Sequence, residues 1–127
     1  MKNRIRITIF LLLSYSLSAC YNQNRDCKRF TEGQFESVVT IDSVVYKSKF
    51  LRQGNLQIET FKGITDSASV RWINSCEYIL TTLHPKNRSQ EKPVHIKLLT
   101  TTDSSYTFEY NFVGESLKTI GIANKVD

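Results

Sequence analysis

Histidine is scarce in this sequence. There are two, His84 and His95, in 127 residues, alongside three cysteines, Cys20, Cys27 and Cys76, with no Cys-x-x-Cys pair among them. Zinc takes four ligands from closely spaced cysteine, histidine and carboxylate side chains, and nothing here supplies that set. Nucleophilic catalysis needs a hydroxyl or thiol beside a base that a third group orients. Both histidines read as solvent-exposed, His84 before Pro85 at a strand end and His95 on the face opposite Val94 and Ile96. Internal repeats and low-complexity segments are absent, and no window beyond the N-terminal segment carries an apolar stripe at helical spacing. These absences exclude a metal centre and an enzyme with a recognisable motif, and they leave a nearly all-β domain.

Long apolar runs are missing as well. The only candidate, Ile7 to Leu13 with Tyr15 and Leu17, is too short to span a hydrocarbon layer of roughly 30 Å. It follows Lys2, Arg4 and Arg6, and a positive segment before a short apolar one reads as an export signal. Leu17-Ser18-Ala19-Cys20 closes it and resembles the bacterial lipobox, in which small residues precede a cysteine that takes the lipid. The resemblance implies that residues 1–19 are removed, that Cys20 becomes an acylated N-terminus and that 20–26 is a tether to a domain spanning 27–127. Acyl burial at about 0.8 kcal/mol per methylene makes such an anchor lasting. Tyr21 stands where an aspartate would favour inner-membrane retention, so the expected location is the outer membrane of the cell envelope.

Charge of one sign is in shorter supply than the total suggests. The chain holds 17 Lys and Arg against 12 Asp and Glu, a net +5, but three of those cations lie in the leader, so 14 against 12 leaves +2. A nucleic-acid partner asks for a basic stripe with interleaved aromatics, and none is expected here. With Cys20 assigned to lipid, Cys27 and Cys76 remain, and an oxidising compartment lets them pair. Closing that ring is worth about 4 kcal/mol by loop entropy. Free or redox-active thiols are the rival reading.

From Cys27 onward the chain alternates with period two. Phe35, Val39 and Ile41 share one side of a first strand, and Val44, Tyr46 and Phe50 one side of a second that ends at Gly54-Asn55. Leu56 and Ile58 oppose Gln57 and Glu59 in a third. Val70 and Trp72 lie together in a fourth, and Tyr78 and Leu80 in a fifth. His84 to Pro93 is a solvated loop, because proline cannot continue a ladder. Val94, Ile96 and Leu98 form a sixth strand. The clearest is the seventh, where Tyr106, Phe108, Tyr110 and Phe112 alternate with polar residues, which predicts one buried and one wet face. A last segment carries Leu117, Ile120 and Ile122. About eight short strands predict an antiparallel meander, closed into a small lipocalin-like barrel or folded as a two-layer sheet.

Two longer stretches carry a family resemblance. Cys27-Lys28-Arg29-Phe30-Thr31-Glu32-Gly33-Gln34-Phe35 and Trp72-Ile73-Asn74-Ser75-Cys76-Glu77-Tyr78 resemble a group of small bacterial lipoproteins with Cys-x-x-Phe-x-x-Gly-x-Phe and Trp-x-x-x-Cys-Glu-Tyr motifs. The likeness extends over the mature chain. Some members carry the label DNA topoisomerase IV, but that chemistry uses a tyrosine nucleophile and a magnesium site that an exported domain of this size does not hold. Gly33-Gln34-Phe35 is also similar to the opening of lipocalin-type barrels, with Phe35 in place of their tryptophan.

Two functions follow as expectations. The first is a membrane-anchored envelope lipoprotein with a structural or protein-interaction role, without catalysis or cofactor, whose partners are the membrane through Cys20 and another envelope protein. The alternative is a small hydrophobic-ligand-binding module, with Trp72, Tyr78, Tyr106, Phe108, Tyr110 and Phe112 lining a pocket or filling a core, and Arg71 and Glu77 as polar contacts. Glu59, Glu77 and Glu109 lie on polar strand faces, where salt bridges to Arg52 or Arg71 are expected in preference to an acid/base pair. An interior void of several hundred Å³ separates the two readings, since a filled interior removes the second.

Overall fold

The computed structural model describes residues 24–127, so the leader, its cleavage position and Cys20 lie outside the described residues. A 3-10 turn, Cys27–Phe30, precedes eight strands: β1 Gly33–Ile41, β2 Val44–Gln53, β3 Leu56–Phe61, β4 Ile64–Asn74, β5 Glu77–Thr82, β6 Val94–Thr101, β7 Ser105–Phe112 and β8 Thr119–Lys125. Each strand pairs antiparallel with the next, and β8 returns to β1 through Phe35 opposite Lys125 and Val39 opposite Gly121. The meander is therefore a closed barrel, which leaves no unpaired sheet edge. The loop from His84 to Pro93 contains one helical turn, α1 Arg88–Glu91, capped by the Asn87 side chain accepting from the Gln90 amide.

Alternation decides which side chains enter the barrel. Phe35 on β1, Phe50 on β2, Val70 on β4, Tyr78 on β5, Ile96 and Leu98 on β6, and Tyr106 and Phe108 on β7 form the buried interior, as period-two spacing requires. Two strands invert the simple rule. On β3 the polar face is the inner one: Gln57 is 3% exposed, whereas Leu56 is 38% exposed on the outside. On β8 the inner residues are Gly121 and the fully buried Ala123, and Ile120 and Ile122 face outward at 60% and 48% exposure.

The reason on β8 is space. A Cβ on Gly121 would stand 2.6 Å from Phe108 Cζ and 2.8 Å from Val39 Cγ2, so isoleucine cannot occupy the inner face there. Gly121→Ala is expected to push the Phe108 ring inward and cost about 1–3 kcal/mol of overpacking. A lowered urea midpoint with an unchanged slope would register that loss.

One end of the barrel is sealed. Cys27 in the 3-10 turn is bonded to Cys76 in the β4–β5 turn, a separation of 49 residues. The disulfide holds the turn across the barrel end. Phe30, with no exposed surface, drops into the interior against Tyr106 at 5.1 Å and Phe35 at 6.5 Å between ring centroids. The chain enters the domain at this same end, where Arg25 Nη1 donates to the Leu98 carbonyl at 2.8 Å and the Asp26 amide to Thr101 Oγ1 at 2.9 Å. The opposite end is formed by the β1–β2 and β3–β4 hairpins and the β5–β6 and β7–β8 loops.

Candidate functional site: a cavity in the barrel

Above the Phe30 seal the interior is not filled. A cavity of about 390 Å³ runs from Tyr106 and Phe50 to the tips of the β1–β2 and β3–β4 hairpins at Ile41, Tyr46 and Phe61. Val39, Leu80, Val94, Ile96, Tyr78, Phe108 and Tyr110 complete its largely apolar wall. A second void of about 400 Å³ adjoins it beneath β4 and α1, sharing Gln57, Glu59, Phe61 and Leu80 with the first. Ligand pockets of about 300–1,000 Å³ with apolar walls and few polar groups are ordinary binding sites.

No family model and no curated protein matches this chain. The reading of the cavity therefore rests on its residues.

Its floor is built around a buried arginine. Arg52 has no exposed surface. Its Nη1 donates to the Phe30 carbonyl at 2.7 Å, its Nε to Gln57 Oε1 at 3.1 Å, and its Nη2 to the Tyr78 and Tyr106 hydroxyls at 2.7 and 3.3 Å. The guanidinium carbon also lies 4.6–5.6 Å from the ring centroids of Phe35, Phe50, Trp72 and Tyr78. An arginine stays charged in proteins, and here neutral acceptors and aromatic faces replace its hydration. Burial pushes the Tyr78 phenol far above its ordinary value, so it remains a neutral hydroxyl. Arg52 was legible in principle, because Tyr46, Ser48, Phe50 and Arg52 share one parity on β2.

The polar residues that line the cavity are Ser37, Lys47, Ser48, Gln57 and Glu59, and Glu59 is the acidic one. It is half-buried on β3, receives a hydrogen bond from Gln57 Nε2 at 3.4 Å, and lies across from Phe50 and Asp66 in the ladder. Nearby, the Ser37 and Ser48 hydroxyls bond to each other at 2.7 Å. Burial raises the Glu59 carboxyl above the usual carboxylate range, Asp66 adds to the rise, and Ser48 and Gln57 oppose it. The proton is thus held more tightly in the folded chain than in the unfolded one. That contribution to stability is full below the ordinary value of 4.5 and is lost as pH climbs through the raised folded value. Glu59→Gln is expected to raise the urea midpoint at pH 7 and to make little difference at pH 4; equal effects at both would contradict the burial of a charge.

The residues singled out from the sequence divide between two places. Tyr78, Tyr106, Phe108 and Tyr110 line the cavity. Trp72 sits behind Tyr78, with centroids 4.7 Å apart, and Phe112 lies beyond the lining, with the Lys92 ammonium 5.8 Å from its ring centroid. Arg71 and Glu77 are on the outer face and reach no part of the cavity. Arg71 is exposed, while Glu77 meets His95 at 3.2 Å and accepts from the Asn74 amide. Asn74 first, and then His95 and Lys97, hold the Glu77 carboxyl below its ordinary value against the effect of partial burial.

The ion pairs expected from Glu59, Glu77 and Glu109 to Arg52 or Arg71 do not form among the described residues. Arg52 takes neutral acceptors, Glu109 pairs with Lys118 at 3.3 Å outside the barrel, and Glu59 has no cation within pairing distance. His95 is half-buried through its contact with Glu77, and His84 is exposed. Among the described residues no three His, Cys, Asp or Glu side chains gather as a metal site.

Proposed function

We propose that this chain is a lipid-anchored envelope protein whose barrel binds a small, largely apolar ligand without catalysing a reaction. The observation that carries the reading is the cavity of about 390 Å³ inside a closed eight-stranded barrel. Burying apolar surface there is favourable at roughly 25 cal/mol per Å², and the sealed floor fixes how deeply a ligand sits. At about 30 Å³ per water, the space corresponds to roughly a dozen water-sized groups, which sets the scale of the ligand. Membrane anchoring is supported by the resemblance of Leu17-Ser18-Ala19-Cys20 to a lipobox. The chain enters the domain at the sealed end, so an anchor at Cys20 leaves the mouth facing away from its point of attachment.

Native mass spectrometry of the full chain extracted from membranes tests both parts. The expected species begins at an acylated Cys20 and carries one small molecule per chain, which is lost from a Leu80→Phe/Val94→Phe variant that narrows the cavity. A chain retaining Met1 without acylation would overturn the anchor. A ligand mass that persists unchanged in the narrowed variant, or no retained mass after incubation with an aliphatic alcohol, would overturn the binding site.

A further inference from the structure

We propose that the ligand carries a basic nitrogen on its apolar body, and that this protonated amine meets the Glu59 carboxylate at the junction of the two voids. The inference rests on the binding reading above and specifies the ligand's polar end. Among the described residues Glu59 is the only carboxylate that lines both voids, and its donors are neutral, the Ser48 hydroxyl and the Gln57 amide, the latter at the long distance of 3.4 Å. Arg52, the buried cation of the inner face, spends its donors on Phe30, Gln57, Tyr78 and Tyr106. Lys47 lines the first void and Lys62 and Lys86 the second, but among the described residues none stands within ion-pairing distance of Glu59, so an incoming ammonium would form the charge-assisted bond that the protein leaves unmade.

The surrounding walls fit the same occupant. Asp66, opposite Glu59 on β4, faces the second void and adds negative charge to that wall. Tyr46 and Phe61 stand at the mouth with centroids 6.2 Å apart, and the Lys62 ammonium already lies 5.7 and 5.3 Å from them, so these ring faces accept a cation.

The rival occupant is an apolar anion whose head stays at the rim, near Lys47, Lys62 and Lys86. Lys86 is shared with Asp66 at 3.8 Å in an exposed pair, and exposed ion pairs of this kind contribute little. A half-buried carboxylate without a cationic partner discriminates more strongly, because leaving its charge uncompensated when a neutral or anionic ligand excludes water is costly.

Displacement of a neutral apolar fluorophore, N-phenyl-1-naphthylamine, by n-decylamine, n-decanol and n-decanoate at pH 7 provides the test on the full chain in detergent. Decylamine is expected to compete about tenfold better than decanol, and decanoate worst. In Glu59→Gln, with a cooperative melt confirming the fold, decylamine and decanol are expected to fall within about twofold of each other. Equal competition by amine and alcohol in the natural chain, a preference for decanoate, or an amine preference that survives Glu59→Gln overturns this inference while saturable decanol binding still upholds the cavity. Failure of all three to displace a bound dye, or of the dye to bind, overturns the cavity reading itself.

Discussion

Replacing Arg52 with methionine is expected to lower the stability of the domain by about 3–5 kcal/mol, a fall in Tm of roughly 15–30 °C for a domain of this size. Methionine matches the aliphatic stem but ends where the guanidinium begins, so a small cavity adds to the loss of the hydrogen bonds. Removing the guanidinium leaves the Phe30 carbonyl and Gln57 Oε1 buried without a donor. The Tyr78 and Tyr106 hydroxyls can turn toward each other, which limits their share of the penalty. Burying the arginine also has a cost that methionine removes, and this sets the lower bound of the range. Arg52→Lys keeps the charge but provides one compact ammonium for four acceptors on different sides, so an intermediate loss is expected. Thermal unfolding followed by circular dichroism checks the order natural, Lys, Met; a change below about 1 kcal/mol for Met would mean that the floor is held by the aromatic packing and the disulfide alone.

Loss of the Cys27–Cys76 bond is expected to cost about 4 kcal/mol, the loop-entropy value for a ring of this length. The bond joins the 3-10 turn to the β4–β5 turn and has no other covalent substitute at the sealed end. Its removal therefore acts twice. The unfolded chain regains freedom, and in the folded chain Phe30 is held by non-covalent contacts, chiefly with Arg52, Tyr106 and Phe35. Cys27→Ser/Cys76→Ser is expected to melt roughly 15–30 °C lower than the natural chain, and dithiothreitol is expected to lower the natural chain's Tm without affecting the double variant. An unchanged melt under reduction would contradict the staple.

Much of the barrel was legible because its inner face is mostly apolar and strictly alternate. The Tyr106 to Phe112 run, Phe35 with Val39, and Tyr78 with Leu80 each assign their strand to an element and their side chains to the interior. Closure was not legible, since β1 meets β8 through residues at opposite ends of the domain and no local pattern distinguishes a barrel from two layers.

The interior polar cluster was hidden for a related reason. Leu56 and Ile58 make the outer face of β3 the more apolar one, whereas the buried guanidinium of Arg52 requires Gln57 inside, and Glu59 follows by parity. On β8 the crowding of Phe108 and Val39 against Gly121 sends Ile120 and Ile122 outward. Position along the strand separates Phe112 from the other aromatics of β7, because its parity is right but it stands past the cavity lining. The pairing of Cys27 with Cys76 was the easiest long-range contact to foresee, once Cys20 was set aside.

Trp72 offers the most direct test of the cavity, since it is the only tryptophan in the chain and its ring packs on Tyr78, which lines the site. Titration with n-decanol is expected to shift Trp72 emission along a saturable curve with one site per chain, and to leave the emission of the Leu80→Phe/Val94→Phe variant unchanged. A linear, unsaturable response, or the same curve in the narrowed variant, would contradict ligand binding inside the barrel.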